Sequence, residues 1–427
     1  MCLLGAMSCS SFVNAQALSL AEAQQTAEQH SPTLSEMQID VNIAEASMDK
    51  TFAPRLPQIY VKGRHLLDDK PQVMEVSGRP FSLVQPGSDY SVGVSLLLYD
   101  GKGTRSKVEA SKYQHAASTA RLDQARFKLD EEVRVKFYQA LGARELVKVS
   151  SQNVEVLKAH LRDVQNQIKL GVATRLDVLK VEVQLEEAQN AQDAAEDNAI
   201  LAQAKLVQMM GIEQFSGSLK GQLPTLSRKE YDKIDFTRGE RLDQKALLYM
   251  KQSAENAVRA SHAASSPKVT LFGQKDLYSY TSQSFLPNNK FHDAYTVGLN
   301  FSWSLYDGGA TSAGERIANE KLRKQEEEIR RAKQAMPVDI DFWKRKLAHD
   351  IARYQAGRRS TEKSEEAVRL AKNAMRLGSR TNTDVLDAEQ DLNFSKSKIV
   401  KAQMDAVVSL SNLELALGKR IAIFGFE

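Results

Sequence analysis

Cysteine is almost missing from this chain. Its 427 residues include two, Cys2 and Cys9, both within the first ten positions. Residues 1–17 read as a signal segment: an apolar run Cys2-Leu3-Leu4-Gly5-Ala6-Met7, then small residues, then Ala15-Gln16-Ala17. The segment lacks a basic n-region, so the true start is expected upstream. Its removal leaves no cysteine, which excludes disulfides and thiol chemistry from the mature chain. A lipid anchor on Cys9 is disfavoured, because Ala6-Met7-Ser8 is a poor approach to one. Long hydrophobic runs are missing too. Without 18 consecutive apolar residues no membrane-spanning helix is expected. That leaves a periplasmic protein, an extracellular one, or an outer-membrane β-barrel.

Charge of one sign is also lacking. The formal net charge is +4, which suggests no nucleic-acid partner. The seven histidines are scattered without ligand spacing, so no metal site is expected. There is no Gly-x-Ser-x-Gly. Gly101-Lys102-Gly103-Thr104 lacks the upstream glycine of a phosphate loop and reads as a strand-to-helix turn. No cofactor and no catalytic centre are therefore expected.

What the chain does contain is a phrase written twice, 207 positions apart. Leu170-Gly171-Val172-Ala173-Thr174-Arg175-Leu176-Asp177-Val178-Leu179 is echoed by Leu377-Gly378-Ser379-Arg380-Thr381-Asn382-Thr383-Asp384-Val385-Leu386. Leu98-Tyr99-Asp100-Gly101 returns as Leu305-Tyr306-Asp307-Gly308 at the same offset, and Gly211 as Gly418. One structural unit has been duplicated. The halves are expected at 18–211 and 240–418, joined by an irregular connector at 212–239 and followed by a tail at 419–427.

Within each half the pattern predicts helix, strand, loop, strand, long helix, tight turn and return helix. The opening helix is expected from 19 to about 51, ended by Pro54 and Pro57, and its counterpart from 241 to about 264, ended by Pro267. Strands are expected at about 57–67 and 90–98, and again at about 268–280 and 295–306. Composition marks 68–88 and Pro287-Asn288-Asn289 as loops. Between Gly103 and Gly171 there is no proline and a glycine only at Gly142. A helix of that length reaches about 100 Å. Val154, Leu157, Leu161, Val164 and Ile168 step 3, 4, 3, 4 along it, a coiled-coil seam. The second half has a weaker seam at Val368, Ala371 and Met375, and Pro337 is expected to kink or interrupt its long helix.

The clearest strand signal is 295–306. Tyr295, Val297, Leu299, Phe301, Trp303 and Leu305 alternate with small or polar residues. Two readings fit: a strand with one face on a soluble core, or a transmembrane strand with lipid on one side and water on the other. Small residues on the polar side favour the second. Trp303 and Tyr295 would then suit an interfacial belt, with a core role as the alternative. Four strands cannot close a barrel alone, and open edges in a bilayer leave backbone groups unsatisfied. Copies must then pool their strands.

Taken together, the duplicated plan, the two strand-exit phrases and the Leu-Gly-x-x-Thr-x-x-Asp-Val-Leu phrase resemble the TolC-like outer-membrane efflux channels over nearly all of 18–418. The resemblance implies a mainly α protein with a small β-barrel part. It implies a homotrimer with a twelve-stranded outer-membrane barrel, continued by an α-helical barrel across the periplasm. It also implies two partners, a periplasmic adaptor protein and an inner-membrane transporter. Gly171 and Gly378 would mark the turns facing the adaptor, and Val297, Leu299, Phe301 and Trp303 the lipid-facing strand. Arg380, Asp384 and Asp387 match the family's periplasmic gate, with Asp177 as first-half partner acid. A tyrosine common in that network is Met375 here, and a hydroxyl-bearing neighbour is Leu176, so fewer hydrogen bonds should hold the gate.

The residues permit their own reading. Asp384 and Asp387, three apart, share a helix face. Symmetry would gather such carboxylates on one axis, attracting cations and raising some of their pKa values. Thr174-x-x-Asp177 and Thr381-x-x-Asp384 equally fit helix capping. Asp387, whose counterpart is Lys180, is no cap residue. The competing functional reading is a periplasmic coiled-coil adaptor that forms no pore.

Overall fold

The computed structural model describes residues 17–67, 72–83, 88–279 and 291–421. The signal segment lies outside them except for Ala17, as do the Pro287-Asn288-Asn289 loop and most of the tail. The described elements run in order α1 Leu20–His30, α2 Pro32–Phe52, β1 Gln58–His65, β2 Gln72–Val76, β3 Arg79–Leu83, β4 Ser88–Tyr99, α3 Gly103–Lys169, α4 Arg175–Met210, α5 Arg228–Tyr231, α6 Leu242–His262, β5 Lys268–Ser279, β6 His292–Ser302, α7 Ala310–Arg376 and α8 Asn382–Leu417. Both α3 and α7 have 67 residues, and both α4 and α8 have 36. Contacts divide the chain into two compact units, one of Met1–Gln38, Ala120–Lys245 and Arg331–Glu427, the other of Ile39–Thr119 and Ala246–Arg330.

The second of these units holds the sheet. Its four antiparallel strands lie in the order β1-β4-β5-β6, so the central pair joins a first-half strand to a second-half strand. Register places Ile59 beside Val94, Val94 beside Gly273, and Gly273 beside Val297. Strand alternation then sorts the side chains. One face carries Ile59 and Val61 of β1, Val92 and Val94 of β4, Leu271 of β5, and Val297, Leu299 and Phe301 of β6, all exposed. Toward the β5–β6 connection this face ends in an ion pair, Lys275 to Asp293 at 3.5 Å. On the other face Tyr60 Oη donates to Gln274 Oε1 at 3.0 Å, and Lys62 lies 4.5 Å from the Tyr60 ring centre. A side chain at Gly93 would run into that ring.

The first unit holds the helical core. Leu347, Ile351 and Tyr354 of α7 pack with Ala406, Leu410, Leu413 and Leu417 of α8. The connector joins this core and does not hang free of it. Leu226, Tyr231 and Ile234 are buried there, Gln403 Nε2 donates to the Pro224 carbonyl at 2.8 Å, and Leu18 forms a parallel bridge with Leu219. Arg134 of α3 is buried between Glu131 and Glu414, bonding to both and to Ser411.

Four expectations need correction. The opening helix is two helices, because the residue before proline is driven out of the α region: Ser31 is extended (φ −66°, ψ 117°) and Pro32 starts α2. The 68–88 stretch contains the β2–β3 hairpin, turned at Ser77 and Gly78 with φ of 54° and 73°, as tight hairpins require; residues 68–71 and 84–87 are not described. Strand β6 ends at Ser302, so Trp303 lies past the strand; its Nε1 donates to the Ser265 carbonyl at 3.0 Å. Finally, of the kink or interruption expected at Pro337, interruption does not occur: α7 runs through it. Pro337 is exposed, so water can satisfy the carbonyl its ring deprives of a donor.

Candidate functional site

Each of the two helix hairpins in the helical unit closes through a glycine in the left-handed region. Gly171 has φ 79° and Gly378 φ 75°, where a Cβ would be strained. The amide of Gly171 donates to Ile168 O at 2.9 Å, and that of Gly378 to Met375 O at 3.0 Å, finishing the ends of α3 and α7. The glycine is there to let the chain reverse.

The return helices begin in matching capping boxes. Thr174 Oγ1 donates to Asp177 Oδ2 at 2.6 Å, and the Asp177 amide donates back to Thr174 Oγ1 at 3.3 Å. Thr381 Oγ1 donates to Asp384 Oδ2 at 2.8 Å, with the Asp384 amide returning to Thr381 Oγ1 at 3.3 Å. Arg380 Nη1 lies 3.5 Å from Asp384 Oδ1 within the same turn. Asp387 is exposed on α8.

These bonds favour the ionised form of both acids within one chain. The Thr174 hydroxyl and amide hold the Asp177 carboxyl below the usual range, aided by Lys180. The Thr381 amide and hydroxyl, then Arg380, do the same for Asp384. Within one chain, hydrogen bonds to the ionised form dominate at both acids.

Arg380, Asp384 and Asp177 thus bond within their own turns. The residues that tie one hairpin to the other are different, and sequence reading passed over them. Asn382, the first residue of α8, is buried. Its Oδ1 meets Nε2 of buried His160 on α3, and its Nδ2 donates to the Asp177 carbonyl at 3.3 Å. Lys180 Nζ donates to Thr383 Oγ1 at 3.1 Å. Leu386 enters the seam formed by Val154, Leu157, Val164 and Val181. Within the second hairpin itself, Lys372 Nζ of α7 stands 2.7 Å from Oε1 of buried Glu389 of α8, an ion-pair contact without hydrogen-bond geometry. A signal did exist. Asn382 occupies the register position of Arg175, so the halves differ there in charge, size and burial.

The proposed lipid-facing residues are in the sheet unit. Val297, Leu299 and Phe301 form one exposed row on β6, with Leu299 65% exposed. Trp303 is exposed beyond the strand end. Among the described residues no helix is long and apolar enough to cross a membrane.

A family model described as outer membrane efflux protein matches residues 23–212 and 239–419. The chain is 25% identical to outer membrane efflux protein BepC of Brucella suis biovar 1 (strain 1330) over 362 residues, 79% of this chain and 75% of that protein. It is 24% identical to proteases secretion protein PrtF of Dickeya chrysanthemi over 328 residues, 72% of this chain and 69% of that protein. In fold it resembles the crystal structure of outer membrane protein VceC from Vibrio cholerae, with a TM-score of 0.77, 18% identity, and coverage of 94% of this chain and 96% of that one. None of these relatives lends support to the adaptor alternative. With residues 23–212 and 239–419 both matched by one family, the chain belongs to the outer membrane efflux protein family, the TolC family, and its place is the outer membrane.

Proposed function

We propose that the protein is the outer-membrane exit duct of a tripartite efflux or type I secretion system. It conducts substrate passively and performs no catalysis. Three copies contribute four strands each to a twelve-stranded barrel, continued by an α-helical barrel in the periplasm. The halves 18–211 and 240–418 act as structural repeats around the 212–239 connector. A periplasmic adaptor meets the turns at Gly171 and Gly378 and brings an inner-membrane transporter into line. Arg380, Asp384, Asp387 and Asp177 gather at the periplasmic end as an acidic constriction that widens on docking.

The observation that carries this reading is the open sheet with its bare apolar face. Among the described residues the outer edges of β1 and β6 are unpaired. In hydrocarbon each unsatisfied backbone group costs several kcal/mol, so a sheet with that face in lipid must close through other copies. Native mass measurement in detergent, followed by planar-bilayer recording, tests it. A trimer with unitary conductance is expected. A salt-extractable single subunit without conductance would overturn it.

A further inference from the structure

The constriction residues named above have a weakness as a lock. Arg380 and Asp384 lie four apart on one exposed turn. An exposed, solvent-screened pair of that kind stabilises little, and within one turn it cannot hold one hairpin against another. Asp177 is likewise occupied by its own cap. Among the described residues, the buried polar contact shared between hairpins beside the turns is the one centred on Asn382; the buried Arg134 contacts to Glu414 and Ser411 involve residues far along the chain from both turns.

We infer that His160 and Asn382 are positioning residues forming a clasp that keeps the second hairpin turn docked on the first, and that its release lets Asp384 and Asp387 withdraw from the constriction. This rests on the constriction reading proposed above. His160 is 4% exposed and Asn382 8% exposed. In the docked arrangement the Asn382 amide uses both ends: Oδ1 meets His160 Nε2, and Nδ2 donates to the Asp177 carbonyl. Because Oδ1 is an acceptor, the imidazole carries its proton on Nε2. A partial slide of the turn would leave two buried polar groups unpaired, which disfavours intermediate positions. Full withdrawal hands both to water. The clasp therefore favours two states, docked or hydrated, over a continuum. Leu386 docks beside it in the α3–α4 seam, so the same motion lifts an apolar anchor. Asn382 is also adjacent to Thr381, the cap of the turn bearing Arg380, which couples clasp and constriction mechanically. The resemblance leads one to expect an aromatic hydroxyl at Met375; the Asn382 amide supplies a cross-hairpin bond without it.

Single-channel conductance of the full-length oligomer in planar bilayers tests the clasp. His160→Leu and Asn382→Leu should each raise conductance several-fold, since each orphans a buried partner. His160→Gln keeps an N–H donor and should remain near wild type. The double leucine variant leaves neither side chain unpaired and should lie closer to wild type than either single. Should Asn382→Leu fail to assemble, Asn382→Ser, too short to reach both partners, replaces it. Arg380→Glu serves as the reference for the constriction. Wild-type conductance in both single leucine variants, where Arg380→Glu raises it, overturns the clasp alone. No change in Arg380→Glu either removes the constriction reading and the clasp with it. Greater opening in the double than in the singles also overturns the clasp, by attributing the effect to lost packing.

Discussion

Arg134 shows how much a single side chain can decide in this protein. It is buried with Glu131 and Glu414, two carboxylates that have no other cation in direct contact among the described ion pairs. Removing one member of such a group leaves uncompensated buried charge, at about 3–5 kcal/mol. Arg134→Met should therefore lower the thermal unfolding midpoint sharply. Arg134→Met combined with Glu131→Leu and Glu414→Leu should recover most of the loss, as calorimetry would show. The cap residues act more gently and with a clear pH signature. Asp177 and Asp384 are held below the ordinary carboxylate range by their threonines. Their contribution is fully present above the unfolded value near pH 4 and is lost as pH falls through the lower folded value. Thr381→Ala should speed amide exchange across 377–389 at neutral pH. That difference should fade as pH falls through the lowered folded value, once the carboxylate is protonated in both proteins.

At the scale of the element, β6 is the sharpest test of the membrane assignment. Its exposed row of Val297, Leu299 and Phe301 faces hydrocarbon in the proposed barrel. Leu299→Arg should cost about 2–4 kcal/mol near the midplane and lower outer-membrane yield. Asn300→Arg, one position along and on the opposite face, should be tolerated. Equal yields of the two variants on membrane fractionation would contradict the assigned face. In the same unit the β2–β3 hairpin shows why 68–88 read as loop: its strands have five residues each, and Arg79-Pro80 opens the second. Such short segments carry too few alternations for a period-2 signal.

For the whole molecule, the central β4–β5 pair is decisive. It joins strands from different halves through a register running from Ser88–Ser279 to Tyr99–Val269. Neither half alone can build the four-stranded sheet. The chain split at Gly221–Gln222 should yield outer-membrane protein only when both pieces are co-expressed, as immunoblotting of membrane fractions would reveal. Recovery should still be incomplete. The connector packs Leu226, Tyr231 and Ile234 into the helical core, and a split nearby removes the restraint that seats them.

Periodicity determined the long helices and the four longer strands to within a few residues, because a long element writes its period many times over; the β2–β3 hairpin and the break at Ser31 were not written that way. Equal spacing determined the duplication, and turn glycines at Gly171 and Gly378 were legible because only glycine reverses a chain there without strain. Local pairs such as Thr381 with Asp384 were legible too, since both partners lie within one turn. The register of β4 on β5, the buried Arg134 group and the His160–Asn382 contact were decided by tertiary structure. Their partners are far apart along the chain: His160 and Asn382 are separated by 222 positions and Arg134 and Glu414 by 280. No local pattern records a partner that far away; packing brings the two together and makes their polar groups satisfy one another.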